Sequence, residues 1–440
     1  MSWLRRLLWP TPVSLAGTTT LMVALAVLIH SWSLINWPVA DWVSVSAEFH
    51  ESLVVAGPLL AGCAAWTAGV FTGRRSVVCP PSAARSGVPI AARHLTVLVA
   101  AGLLGYALGL APVLVSTATR ATMGGPDLLV LMGSVAALGA FVAIGYLAGA
   151  ALPRSLSVVA AVIVSFAFVL AGGGGSTAWA LSPVWLTGLA VAGYQENTTL
   201  SLFRLLFFVL LAVCCATAAA RWVFGRSPTS LRTSTSGLLV LALPAALAMI
   251  AVNRPIDPLV RDVAAPRACE DVGHVQVCVH QANTAILDPL TQVVSRTLDA
   301  AGPAVSQPVQ QVLDAVLWEE NPPSHVALHF QFQNGEAWTA DAAQHLAMEL
   351  SGTRACYELR RGTANVSGEP DEFAVARAVM QWIWVEAGYT SASRSGMYLS
   401  PDSQILFESM SAQPADQVRQ WIADNRTELL TCEVSPSDVS

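Results

Sequence analysis

From Gly17 to Val252 the apolar positions come in long runs, broken only by short polar stretches. A helix needs about 20 apolar residues to cross a bilayer. Seven segments approach that length: Gly17–Ile35, Leu53–Phe71, Leu95–Val115, Leu128–Leu152, Leu156–Ala171, Leu200–Ala220 and Thr233–Val252. The fifth and seventh are short. Pro244 sits inside the seventh, where proline kinks a membrane helix without ending it. Between the fifth and sixth lies Gly172–Gly175 followed by Ser176–Tyr194, apolar but interrupted by proline and glycine. It includes Trp179, Pro183 and Trp185, and reads as a re-entrant or interfacial segment (176–194) on the outer face.

After Asn253 the pattern switches to that of a water-soluble domain. Val275, Val277 and Val279 alternate within His274–His280, as in a half-buried strand, and His325–Phe332 alternates again. Helical spacing predicts helices at Ile286–Ala301, Pro308–Trp318, Ala340–Leu350 (Thr339 as cap), Glu369–Ala387, Ser403–Met410 and Pro414–Leu430. The expected fold is therefore an α-helical polytopic bundle of about seven spans (17–252), followed by a mixed α/β extracytoplasmic domain (253–440). Ahead of both, the segment 1–16 carries an interfacial helix, Ser2–Pro10. Its Trp3 and Trp9 dip into the headgroup boundary while Arg5 and Arg6 meet lipid phosphates.

Arginine placement orients the spans. With the N-terminus inside, the inner segments hold Arg5, Arg6, Arg74, Arg75, Arg85, Arg93, Arg154, Arg221, Arg226 and Arg232. The outer loops hold only Arg120, with Arg204 near the start of the sixth span. They collect Asp41, Glu48, Glu51, Asp127 and Glu196 instead. Trp32, Trp37 and Trp42 bracket the outer end of the first span as an aromatic belt does. An odd number of crossings then puts the tail outside.

Charged residues are 12% of the chain, about half the usual share, and most of the acids lie in the tail. The net charge of −6 leaves no basic footprint for nucleic acid. The chain contains no lysine. A phosphate-binding loop and a lysine Schiff base are thereby excluded, so any ATP must be bound by another subunit. No cofactor is expected.

Cys269, Cys278, Cys356 and Cys432 all fall in the tail, and an even number there favours disulfides. Four cysteines allow three pairings. Cys269–Cys278, a short loop, with Cys356–Cys432 is the favoured one. Cys63, Cys79, Cys214 and Cys215 read as ordinary small residues of spans and inner loops.

Candidate chemistry is sparse. Within the predicted spans only His30 and Arg204 are ionisable, each near an end, and no Asp/Glu/His relay is evident. No His-Glu-x-x-His motif or Gly-x-Ser-x-Gly elbow occurs. His325 and His329 share a strand face about 13 Å apart. His274 and His280 share a face of the other strand, so pairing of the two strands would gather a histidine cluster. Without pairing these are polar residues on the solvent side. Glu319 and Glu320 precede Asn321-Pro322-Pro323 and read as a solvated turn.

The inner loop Gly73–His94 carries Arg74, Arg75, Arg85 and Arg93 with three prolines. These charges suit a positive-inside loop, and equally a short helix that docks on a cytoplasmic partner. Taken together, this layout resembles the permease subunit of ABC-2-type exporters over residues 1–225. Ser2–Pro10, spans one to six, Ser76–His94 and Ser176–Tyr194 correspond to the amphipathic N-terminal helix, six spans, coupling segment and outer-face helices of that family. The run from Gly57 to Trp66 through Gly73-Arg74-Arg75 is similar to the second span of actinobacterial permease-like proteins. The resemblance implies a cytoplasmic ATP-binding subunit docking on Ser76–His94 and a homo- or heterodimer of membrane subunits in a bacterial plasma membrane. It also implies a lipid-like, peptide or antibiotic cargo. The seventh span and large outer domain depart from the family. Two other functions fit the sequence: a membrane-anchored sensor whose outer domain binds a ligand or partner, and a membrane-tethered hydrolase. The hydrolase needs several of His274, His280, His325, His329 and His345 to converge with a carboxylate.

Overall fold

A computed structural model describes residues 11–72, 88–171, 179–184, 192–224, 244–245, 247–249, 256–261, 266–317, 324–330, 337–360, 371–390 and 399–439. The N-terminal helix Ser2–Pro10, Arg74, Arg75, Arg85, Cys79, Trp185, Glu319, Glu320 and most of the seventh predicted span lie outside them. The chain divides into two compact units, one of Met1–Ile35 with Ala40–Asp262, the other of Asn36–Val39 with Val263–Ser440.

The first unit is helical: α1 (Val13–Ile35), α2 (Trp42–Glu51), α3 (Leu53–Phe71), α4 (Val88–Arg120), α5 (Leu128–Ala151), α6 (Arg154–Leu170) and α7 (Thr198–Phe224). Among the described residues, five helices are long and apolar enough to cross a membrane, with α2 and α3 acting as one 30-residue unit, Trp42–Phe71. α6, with 17 residues, is shorter. Leu21, Leu25 and Ile29 of α1 and Leu104 and Leu108 of α4 remain exposed. That distribution suits lipid on one side and helix on the other, since a bilayer solvates leucine as well as a core does.

Small residues let these helices approach closely. α5 packs on α3 and α7, and α4 packs on α1. A Cβ placed at Gly145 or Gly149 of α5 would overlap the carbonyls of Ala61 or Ala65 of α3. A Cβ at Gly105 or Gly109 of α4 would meet the carbonyls of Thr20 and Ala24 of α1. Both seams use the four-residue glycine spacing that brings helix backbones together in lipid.

Two short strands complete the unit. β1 (Tyr194–Glu196) pairs antiparallel with β2 (Leu259–Arg261), Glu196 standing opposite Leu259. Of the predicted outer-face segment, the described residues form a 3₁₀ turn, Trp179–Leu181, with Pro183 just beyond it, and a turn at 192–193 that leads into β1. Pro183 and Val184 are buried.

The second unit is built on a four-stranded sheet in the order β3 (Arg267–Val272), β4 (Val275–His280), β5 (Gln311–Asp314), β6 (His325–Leu328). The β3–β4 hairpin turns at Gly273, whose φ of 62° suits glycine. The remaining pairs are parallel, joined through helices. α8 (Leu287–Ala301), α9 (Trp338–Leu350) and α11 (Asp371–Glu386) enclose a common core with Val275, Val277 and Val279 of β4. The unit also holds α10 (Thr353–Arg360), α12 (Pro401–Ser411), α13 (Ala415–Asp424) and α14 (Arg426–Thr431), from which Met410, Val418, Ile422 and Leu429 join that core. The mixed α/β character with more helix than strand is as the periodicity predicts.

Three local expectations are corrected. Of the predicted helix Pro308–Trp318, the described residues 308–317 are not helical as expected: Val312 in β5 joins Val309 in the sheet core, and Val316 is buried in a 3₁₀ turn. A short valine-rich run fits either period, and burial decides it. Thr339 lies inside the first turn of α9, whose N-cap position is Ala337. Pro414–Leu430 breaks at Asn425, which ends α13 and begins α14. Disulfides join Cys269 to Cys278 across the β3–β4 ladder, and Cys356 of α10 to Cys432 just past α14. This is the pairing favoured from the spacing.

Candidate functional site

α2 is the element that the arginine pattern had placed in an outer loop. Asp41 starts it: its carboxylate accepts from the Ser44 N–H and the Ser44 hydroxyl, both at 2.7 Å. That is an N-cap, and it satisfies main-chain donors that would otherwise be stranded in an apolar setting. Asp127 caps α5 in the same way, accepting from Leu129 and Val130. The Asp127 N–H in turn donates to Ser46 of α2 at 3.0 Å, tying the starts of the two helices together. α2 runs into α3 through Ser52, whose hydroxyl donates to the Glu48 carbonyl at 2.8 Å. Glu48 and His50 are therefore carried into the bundle, where both are buried.

Around His50 a polar cluster assembles from four elements. His50 Nε2 lies 3.1 Å from a carboxylate oxygen of Glu196, at the end of β1. Its Nδ1 is 3.0 Å from the Ser134 hydroxyl of α5. The other oxygen of Glu196 accepts from Ser201 at 2.7 Å and sits 3.5 Å from Arg204, both on α7. Arg204 is 1% exposed, and its three guanidinium nitrogens have no hydrogen-bond partner among the described residues. Glu51 contributes a further negative charge toward it. Glu48, also on α2, lies 3.9 Å from His30 of α1. The Tyr106 hydroxyl of α4 donates to the Phe49 carbonyl and also meets Ser52 and Ser134.

The predicted spans themselves hold no Asp/Glu/His chain; the difference is that Glu48 and His50, expected in an outer loop, are helical and buried. Two sequence signals point to this. Asp41-x-x-Ser44 is a cap pattern, and Asn197 caps α7 by accepting from Thr199. Reading either as a helix start moves Glu48, His50 and Arg204 inside. A charged group at membrane depth is costly and is retained where it pairs or works. A separate polar contact, His94 Nδ1 with the Tyr146 hydroxyl at 2.9 Å, joins α4 to α5 beside Phe71. Arg93 shares the first turns of α4 with His94.

In the second unit the five histidines do not gather. β5 separates β4 from β6, so His280 and His325 are not neighbours across a ladder. His274 Nε2 contacts the Ser306 carbonyl, and His280 Nδ1 accepts from the Ala282 N–H. Only His329 and His345 come together, the His345 ring bonding the main chain of His329. Burial lowers the pKa of both, and Arg354, itself paired with Glu349 at 2.6 Å, adds to this. Among the described residues no group of three or more metal-ligating side chains is placed to hold an ion.

One buried carboxylate in this unit titrates in an accessible range. Asp314 ends β5 and accepts from Asn283 at 2.6 Å and from the main chain of His280 and Val316. Burial pushes it up to about 6 from an ordinary 3.8, against the pull of those bonds. The folded form therefore holds this proton more tightly than the unfolded chain. Its contribution to stability is complete below about pH 4 and is lost as pH rises through about 6. Thermal melts of the full chain between these values should show that loss in the wild type. Asp314→Asn should flatten it; an unchanged profile would remove Asp314 as the cause.

The fold and the cluster together define a helical membrane protein with a buried ionic centre and a disulfide-stapled α/β unit. Comparison with models of known protein families, with curated proteins and with solved structures finds no match.

Proposed function

We propose that the chain is a permease-like membrane subunit of a transport complex whose energy comes from a separate ATP-binding protein. The observation that carries this reading is the ionic cluster in which Glu48, His50 and Arg204 are buried among membrane-length helices and Glu196 is half-buried beside them. A mere anchor has no use for charges whose burial is costly. The absence of lysine assigns nucleotide binding to another chain. On this reading the protein has seven spans, in the order of the sequence segments, in a bacterial plasma membrane. Its N-terminus is cytoplasmic and its C-terminal unit extracytoplasmic, in keeping with two disulfides in that unit. Arg74, Arg75, Arg85 and Arg93 face the ATPase, and two membrane subunits form the complex.

Purification of the tagged full chain from its own host should bring down an ATP-binding protein in stoichiometric amount. Neutralising all four arginines should reduce that yield about tenfold or more, because several charges act together. A chain that purifies alone sinks the reading. The second reading, an anchored binding protein, is favoured by the separate core of the C-terminal unit. It expects that unit to bind a cell-wall or peptide ligand while no ATPase is present.

A further inference from the structure

Glu48 and Glu196 bring two carboxylates to the cluster, and Arg204 is its one permanent cation among the described residues. With His30 and His50 neutral, these groups would carry a net charge of about −1 in a low-dielectric setting, which burial penalises heavily. Protons on the histidines or carboxylates are the available compensation.

Hydrogen-bond bookkeeping locates one of them. The Ser134 hydroxyl has a single proton and, besides the Tyr106 hydroxyl, two acceptors within reach, the Val130 carbonyl at 3.1 Å and His50 Nδ1 at 3.0 Å. When Ser134 donates to Val130, His50 Nδ1 must itself donate to Ser134. His50 Nε2 then faces the Glu196 carboxylate at 3.1 Å, and only a proton between them makes that contact attractive. When that proton leaves for water, two arrangements remain. Either the His50–Glu196 contact opens, or the Ser134 hydroxyl turns from Val130 to His50 so that the neutral ring can donate through Nε2. One proton is exchanged with water, and apart from these hydrogen-bond rearrangements no other bond changes.

The neighbouring geometry gives this proton a mechanical reach. Glu196 is the last residue of β1 and stands opposite Leu259 of β2. The Asn197 N–H donates to the Pro258 carbonyl at 2.8 Å, and Ile256 packs against Ala180 and Leu200. β2 ends at Arg261, and the chain enters the C-terminal unit at Val263.

We propose that His50 and Glu196 form a proton-binding site of the membrane unit, whose occupancy fixes the β1–β2 ribbon from which the C-terminal unit is tethered. This deepens the reading of the cluster as functional and involves no ATPase. Charged and titratable groups facing the pair are His30 from α1, Glu48 and Glu51 from α2, Tyr106 from α4 and Arg204 from α7.

Hydrogen–deuterium exchange of the full chain in nanodiscs, corrected for intrinsic rates, tests it between about pH 5 and about pH 8, the range in which imidazole charge changes. Protection of peptides covering 194–201 and 256–261 should fall severalfold on the alkaline side, as the contact opens when the proton leaves. His50→Gln and Glu196→Gln should each abolish that dependence. His94→Gln, which alters a buried histidine outside the cluster, should preserve it. A wild type without the response overturns the proposal, as does a response that survives either cluster variant. Where one variant yields no folded protein, the other decides. Co-purification of an ATP-binding protein is read separately, so failure of the transport reading and failure of this one are distinguishable.

Discussion

Glu196→Ala should destabilise the membrane unit by about 3–5 kcal/mol, the range for stranding one partner of a buried ion pair. Arg204 is fully enclosed, and Glu196 is its only ion-pair partner among the described residues. Removing the carboxylate also leaves Ser201 without its 2.7 Å acceptor and His50 without its 3.1 Å neighbour. Much of the cost lies in the uncompensated guanidinium rather than in lost attraction. Glu196→Ala with Arg204→Leu should therefore recover a large part of it. Thermal melts of the full chain in detergent, monitored by size-exclusion recovery, measure both. Equal loss in the single and double variants would mean that the pair contributes packing rather than charge.

Cys356→Ser with Cys432→Ser should have the second large effect. This disulfide closes 76 residues, spanning α10 to the end of α14. Loop-closure entropy for that length is about 4 kcal/mol. For a unit of this size it corresponds to a fall of about 10 °C in the midpoint of the C-terminal transition. The Cys269–Cys278 bridge closes only nine residues across a hairpin whose register the ladder already fixes. Its removal should lower the midpoint by less. The opposite ranking would place the stabilising action in the hairpin.

Much of this was legible beforehand, and the gaps have physical causes. Long apolar runs locate α1, α3, α4, α5 and α7 because length in lipid leaves little choice. Alternating valines locate β4, and the helix from Asp371 is evident from its period. What failed was the assignment of Glu48 and Glu51 to a loop. Charge counting treats acids as solvent-exposed, yet a capped helix followed without interruption by a span draws them inward. The cluster also depends on Glu196, which is distant in sequence and reaches His50 only through the β1–β2 pairing. No local pattern encodes that meeting. The error at 308–318 is different in kind: its valines fit helix and strand equally, and only the neighbouring β4 and β6 select the strand.

The glycine seam between α3 and α5 constrains how the bundle can rearrange. With backbone against backbone at Gly145 and Gly149, there are no side chains to slide over one another. The two helices must travel as one stiff beam. His50, on the helical extension of α3, and Ser134, on α5, ride on that beam together. Glu196 hangs from a separate hook ahead of α7, so the joint that can part runs between the beam and the hook.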